Sequence, residues 1–137
     1  MGSHALKSWS STQATIAMSS AEAEFYALVE GAARGIGLQS LMREFGIETK
    51  DVLATDSSAA KSFSSQRGLG RMRHIEVKNL WLQESICRGR ISIVKVSGVT
   101  NPADIFKKYH GAKELQARCD RLSVDVVLRN RVGEVCV

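Results

Sequence analysis

The spacing of apolar residues changes period along this chain, and that change restricts it to folds in which helices pack on a sheet. From Ala21 onward, Ala21, Phe25, Leu28, Val29, Ala32 and Ile36 recur at three- and four-residue intervals, the stripe of a helix with one buried face. Ser19 followed by Glu22 matches a capping box, and Gly46 supplies a stop after a helix running to Glu44. Gly31, Gly35 and Gly37 weaken that helix, so close packing against a sheet is expected to hold it. Elsewhere the period shortens. Ala5 to Ser11 and Thr15 to Met18 alternate in the manner of strands, and Val52 to Thr55 and Ile91 to Val96 are short apolar strands. A short helix is expected over Ser57 to Ser64, one from about Ile75 to Cys87 with Trp81, Leu82 and Ile86 buried, and one over about Ala112 to Leu122. Asn101-Pro102 is a clear helix start, with Asn as cap and Pro at the first helical position. The order is that of an α/β domain, a mixed sheet flanked by helices.

A chain of 137 residues with 44% apolar content suits one globular domain with an ordinary core. It contains neither an apolar run long enough to span a bilayer nor a secretory leader, so the expectation is an intracellular protein, cytoplasmic or nuclear, not secreted and without a membrane partner. Cys87, Cys119 and Cys136 are odd in number and widely spaced, which argues against a disulfide framework and a zinc site alike; reduced, partly buried thiols are expected.

Charge is unevenly distributed. Between Lys61 and Lys95 lie Lys61, Arg67, Arg71, Arg73, Lys78, Arg88, Arg90 and Lys95 against Glu76 and Glu84, so this segment carries +6 and the remainder −1, for the net charge of +5. Clustered cations of this kind bind a phosphate backbone by displacing condensed counterions; a solvated loop and helix face would read the same way.

Four acids merit attention. Asp56 lies just past an apolar strand, where the ligand crevice of an open α/β sheet is found, although a helix N-cap would also occupy that position. Asp104 falls in the first turn of the Asn101-capped helix, where the macrodipole favours a carboxylate. Glu22 and Glu24 point in nearly opposite directions on their helix, so only one can face a shared site. The capping box claims Glu22, which leaves Glu24 to lean toward the sheet edge. No GxSxG or Walker-type glycine loop is present, and His4, His74 and His110 have no recognisable nucleophile beside them.

Taken in order, Ser19-Ser20-Ala21-Glu22-Ala23-Glu24, Leu53-Ala54-Thr55-Asp56-Ser57-Ser58 and Asn101-Pro102-Ala103-Asp104-Ile105-Phe106 resemble the ribonuclease H domain of copia-type LTR retrotransposon polyproteins. The resemblance runs from about Leu6 to about Val124 and includes Gly68-Leu69-Gly70-Arg71-Met72-Arg73-His74-Ile75-Glu76. It implies a ribonuclease H-like domain over residues 1–124, with residues 125–137 a tail outside the family pattern. It also implies cleavage of the RNA strand of RNA–DNA hybrids with Mg²⁺ or Mn²⁺, held by Glu24, Asp56 and Asp104 as the second, third and fourth acids. Such sites use two hard cations roughly 3.5–4 Å apart on carboxylate oxygens. Nucleic acid would meet Ser57, Lys61, Arg67, Arg71, Arg73 and His74.

Two departures from the family pattern stand out. No acid precedes Glu22, so the family's first strand and its aspartate have no counterpart, and the expected sheet carries a gap. Unpaired edges invite a partner strand, hence an expected homodimer or other self-association, or a C-terminal hairpin, Val124 to Leu128 and Val132 to Val137, that brings Asp125 in as a fourth acid. The loop Ser97-Gly98-Val99-Thr100 also lacks the histidine that many relatives outside the copia group carry, and His110 is expected at the surface. An enzyme and a catalytically inactive remnant that binds nucleic acid or self-associates are therefore both open.

Overall fold

The computed structural model describes Ala5 and residues 7–70, 75–99 and 101–123. The chain forms two compact units, one of residues 12–97 and one that joins the first eleven residues to those from Gly98 onward.

In the first unit, helix α1 (Ser20–Glu44) is followed by strand β1 (Asp51–Thr55), helix α2 (Ser58–Ser64), a 3-10 turn (Val77–Leu80), helix α3 (Trp81–Cys87) and strand β2 (Ile91–Lys95). The start of α1 shows why the sequence signal was sound. Ser19 accepts a hydrogen bond from the Glu22 amide (3.2 Å), and the Glu22 carboxylate reaches back to the amide of Met18 (3.0 Å), a capping box displaced by one residue. At the far end Gly46, at φ 74°, donates to the Arg43 carbonyl and Ile47 donates to that of Met42, the paired bonds of a Schellman stop.

Phe25, Leu28 and Ala32 are buried against Ala60, Phe63, Ile75, Leu82 and Ile91, with Leu53, Trp81, Ile86 and Ile93 packed around them. Phe25 and Phe63 meet edge to face with ring centroids 4.7 Å apart. The stripe ends sooner than its period suggested, since Ile36 is 38% exposed and Leu41 52%. The glycines of α1 divide in the same way. A side chain at Gly35 would come within 3.3 Å of the Asp51 carboxyl, whereas at Gly37 it would meet nothing, so packing explains the first glycine and not the second.

β1 and β2 run parallel, with Asp51 opposite Ile91 and Thr55 opposite Lys95. This two-stranded parallel pair is the whole sheet among the described residues, and it replaces the expected mixed sheet. The segments 5–11 and 15–18, expected as strands, form no ladder among the described residues; Ile16 is 92% exposed and Met18 71%. Alternation made these residues fit for a strand, but an isolated hairpin is marginal in water without a third strand or a helix to pack on. The sheet itself is open on one side. Leu53 packs toward α1, while on the opposite face Val52 is 57% exposed and Val94 42%.

Helix α3 begins later than expected, because residues 77–80 take the tighter 3-10 form. Leu82 is fully buried, Trp81 and Ile86 half-buried. Beside them Gln83, which the apolar pattern did not single out, is buried: its amide nitrogen donates to the carbonyls of Phe63 (2.9 Å) and Gly68 (3.1 Å), and its oxygen accepts from the Gly68 amide (2.9 Å). Both of its N–H donors and one acceptor site of its oxygen are therefore used.

The second unit contains a 3-10 turn (Pro102–Phe106) and helix α4 (Ala112–Arg121). Asn101 caps the turn by accepting from the Ala103 amide (3.1 Å), as the sequence indicated, but the expected helix stops after five residues. Arg118 on α4 ties the approach to this turn by donating to the carbonyls of Asn101 (3.0 Å) and Val99 (3.1 Å). The expected C-terminal hairpin, with Asp125, lies outside the described residues, as does Cys136. Of the other cysteines, Cys87 is exposed and Cys119 buried, both as free thiols.

Candidate functional site

Glu22 and Glu24 separate as their spacing requires. Glu22 is buried, holding the Met18 amide and accepting from the Tyr26 hydroxyl at 2.9 Å. Burial, with the Glu22 carboxylate next to it, raises the pKa of the Tyr26 phenol. Glu22 thus has a structural occupation, and Glu24 is half-buried on the same helix.

Asp56 sits in the bend between β1 and α2, at the carboxyl end of a parallel strand. The cap of α2 belongs to its neighbour. Ser57 accepts from the Ala60 amide (3.1 Å), and the Ser57 amide is itself held by the Thr55 hydroxyl (3.1 Å). The N-cap reading of Asp56 is therefore replaced: Ser57 performs that role. Ser57, expected at nucleic acid, is occupied at its oxygen by the cap. Across the ladder, the Val96 amide donates to the Thr55 carbonyl (2.9 Å), and Lys95 at the end of β2 donates to the Ser58 hydroxyl in the first turn of α2. An acid, hydroxyls and an ammonium group are thus gathered at the carboxyl end of the parallel pair.

Asp104 is different. It is almost fully buried, and its carboxylate accepts from the Lys108 ammonium at 2.7 Å. That hydrogen bond, with the positive charges of Lys108, Lys107 and Arg118, lowers its pKa below the ordinary carboxylate value in spite of burial. His110, expected at the surface, has a side chain only 5% exposed: one ring nitrogen lies 3.1 Å from the Glu114 carboxylate and the other 2.9 Å from the Asp104 carbonyl. Arg118 and His110 both hold Glu114 in its charged form, and its pKa is lowered, chiefly by the Arg118 hydrogen bond.

Of the expected nucleic-acid contacts, Lys61 is half-buried on α2 and Arg67 exposed, while Arg71, Arg73 and His74 lie outside the described residues. Arg67 donates to the Cys87 sulfur (3.0 Å) beside a cavity of about 450 Å³ that Arg88 and Gln83 also line. Lys95 is the cation that sequence reasoning left out of the site; its place at the end of β2, opposite Thr55, was the available signal.

Carboxylate oxygens are the donors that a hard divalent cation requires. Glu24 and Asp56 belong to one unit and Asp104 to the other, and among the described residues no three His, Cys, Asp or Glu side chains are grouped to hold a metal ion.

Over 104 residues, 74% of its length, the chain is 33% identical to a "Retrovirus-related Pol polyprotein from transposon TNT 1-94" of Nicotiana tabacum. The chain is of retrotransposon polyprotein origin. It spans 8% of that relative's length, so the retrotransposon relative is a far larger protein than the segment it matches. No protein-family profile matches the chain, and no solved structure does. Among the described residues no helix is long and apolar enough to cross a membrane.

Proposed function

We propose that this retrotransposon-derived segment is a ribonuclease H-type domain whose ligand is an RNA–DNA hybrid and whose working acid is Asp56. The placement of Asp56 supports the reading best. It stands at the carboxyl end of a parallel strand, with Ser57 taking the cap that would otherwise have explained an acid there. The exposed Arg67, Arg88, Arg90 and Lys95 suit a polyanionic ligand, to which they would bind without reading sequence. Cleavage of the RNA strand would draw on Mg²⁺ or Mn²⁺ at Glu24, Asp56 and Asp104. With no group of three metal-ligating side chains among the described residues, this chain is expected to hold metal weakly.

A second reading, a non-catalytic remnant that binds nucleic acid or self-associates, is favoured by one observation: among the described residues the sheet has two strands and an exposed apolar face. Open edges and faces of this kind pair readily with another chain. Incubation of labelled hybrid in Mg²⁺ and in Mn²⁺ separates the two. RNA-strand products that disappear in Asp56→Asn support the enzyme; hybrid binding with no products in either metal supports the remnant.

A further inference from the structure

We infer that Lys95 and Ser58 form a binding point for a backbone phosphate of the nucleic acid, beside Asp56 at the carboxyl end of the parallel pair. The inference rests on the proposed nucleic-acid ligand and adds to it Ser58 and a location for Lys95.

Lys95 is the last residue of β2, exposed, and opposite Thr55, the last residue of β1. Its ammonium crosses to the Ser58 hydroxyl, so the contact bridges the end of one strand and the first turn of the helix that follows the other. An ammonium has three hydrogens to give and Ser58 takes one. Among the described residues no carboxylate forms an ion pair with Lys95, whereas Arg88 and Arg34 are held by Glu84 and Glu30. A positive charge fixed by a neutral hydroxyl retains its full attraction for an anion, whereas one fixed by a carboxylate has spent it. Ser58 is exposed too, so its hydroxyl can turn to serve the same oxygen as the ammonium.

The neighbourhood selects the kind of anion. Asp56 lies two residues before Ser58, and a carboxylate so near repels a free anion as much as it repels a phosphodiester. A nucleic-acid strand overcomes that repulsion because its other phosphates are held elsewhere on the basic segment, at Arg67 and Arg90 among the described cations; inorganic phosphate has no such help. The point is therefore expected to recognise a phosphate within a strand and to bind inorganic phosphate poorly. Lys95 acts here as a point charge and carries no sequence preference.

The test is the salt dependence of binding of a fluorescein-labelled RNA–DNA hybrid to the whole chain, followed by anisotropy. Lys95→Gln is expected to weaken binding by about threefold to tenfold at low salt and to reduce the slope of log affinity against log salt by about one. Ser58→Ala should give a smaller loss in the same direction, and Lys95→Arg should restore the slope. Lys50→Gln, an exposed lysine just before β1, serves as the control and should leave the slope unchanged. Equal slopes for Lys95→Gln and the wild type, with both folded by circular dichroism, overturn the inference while leaving the hybrid as ligand. Inorganic phosphate that displaces the hybrid from wild type but not from Lys95→Gln at low millimolar concentration overturns the choice of a strand phosphate. A wild type that binds no hybrid overturns this inference together with the proposed ligand, whereas absence of cleavage alone leaves it standing.

Discussion

Asp104 and Asp56 both stand at the beginning of a helical turn, and their surroundings differ in the way that separates a structural acid from an available one. Asp104 is buried, paired with Lys108 four residues on, and flanked by a turn that Asn101, His110 and Arg118 secure. Asp56 is half-buried at a strand end, and the cap that could have employed it is made by Ser57. A third aspartate, Asp51 at the opposite end of β1, shows the cost of having no partner: one of its oxygens is buried without a hydrogen bond, and burial raises its pKa. An acid whose position the fold accounts for says little about function. Asp56 is the one whose position the fold does not account for.

Substitution at Asp104 should have the largest effect. Asp104→Asn removes a charge-assisted hydrogen bond at a buried site and should cost about 2 kcal/mol of stability at neutral pH. The folded pKa of Asp104 lies below its unfolded value, so this contribution is full above the unfolded value, about pH 4, and is lost as pH falls through the lower folded value. Chemical denaturation at pH 7 and pH 3 should therefore show the gap between variant and wild type narrowing in acid. A gap that is the same at both values would mean that the Lys108 pair is not its source.

Next in size is Ser57→Ala. Loss of the α2 cap should destabilise by about 1 kcal/mol, measurable as a lowered denaturation midpoint. No loss would return the cap to Asp56 and weaken the contrast between the two aspartates.

A smaller effect of opposite sign is expected at Asp51. Its folded pKa lies above the unfolded one, so its ionised form is a liability that is absent in acid and fully present above the folded value. Asp51→Asn should gain on wild type by a few tenths of a kcal/mol as pH rises from about 3 to 7. Melting curves across that range provide the check.

The smallest change in stability belongs to Asp56→Asn, which should stay within about 0.5 kcal/mol of wild type. A larger loss would make Asp56 a structural residue like Asp104.

How much of this was legible depended on the range of the interactions involved. The capping of α1 and of the Asn101 turn, the Gly46 stop and the opposition of Glu22 and Glu24 are local, and neighbouring residues announce them. The Lys108 pair lies at i+4 from Asp104 and was within reach of the same reasoning. Strand pairing of 5–18 was not, because alternation makes residues fit for a sheet without supplying the strand beside them. The burial of Gln83 and the placement of Lys95 were missed for a related reason. Their partners, Phe63 and Ser58, are 20 and 37 residues away in sequence, and only the fold brings them together.

The most direct test of Asp56 as the acid kept for the ligand is hybrid affinity measured with and without Mg²⁺ at matched ionic strength, for wild type and Asp56→Asn. A carboxylate near a phosphate repels it unless a cation lies between them. Wild type should therefore bind the hybrid more tightly when Mg²⁺ is present, and Asp56→Asn should bind it equally with and without the metal. Identical Mg²⁺ dependence in the two folded proteins would contradict the account.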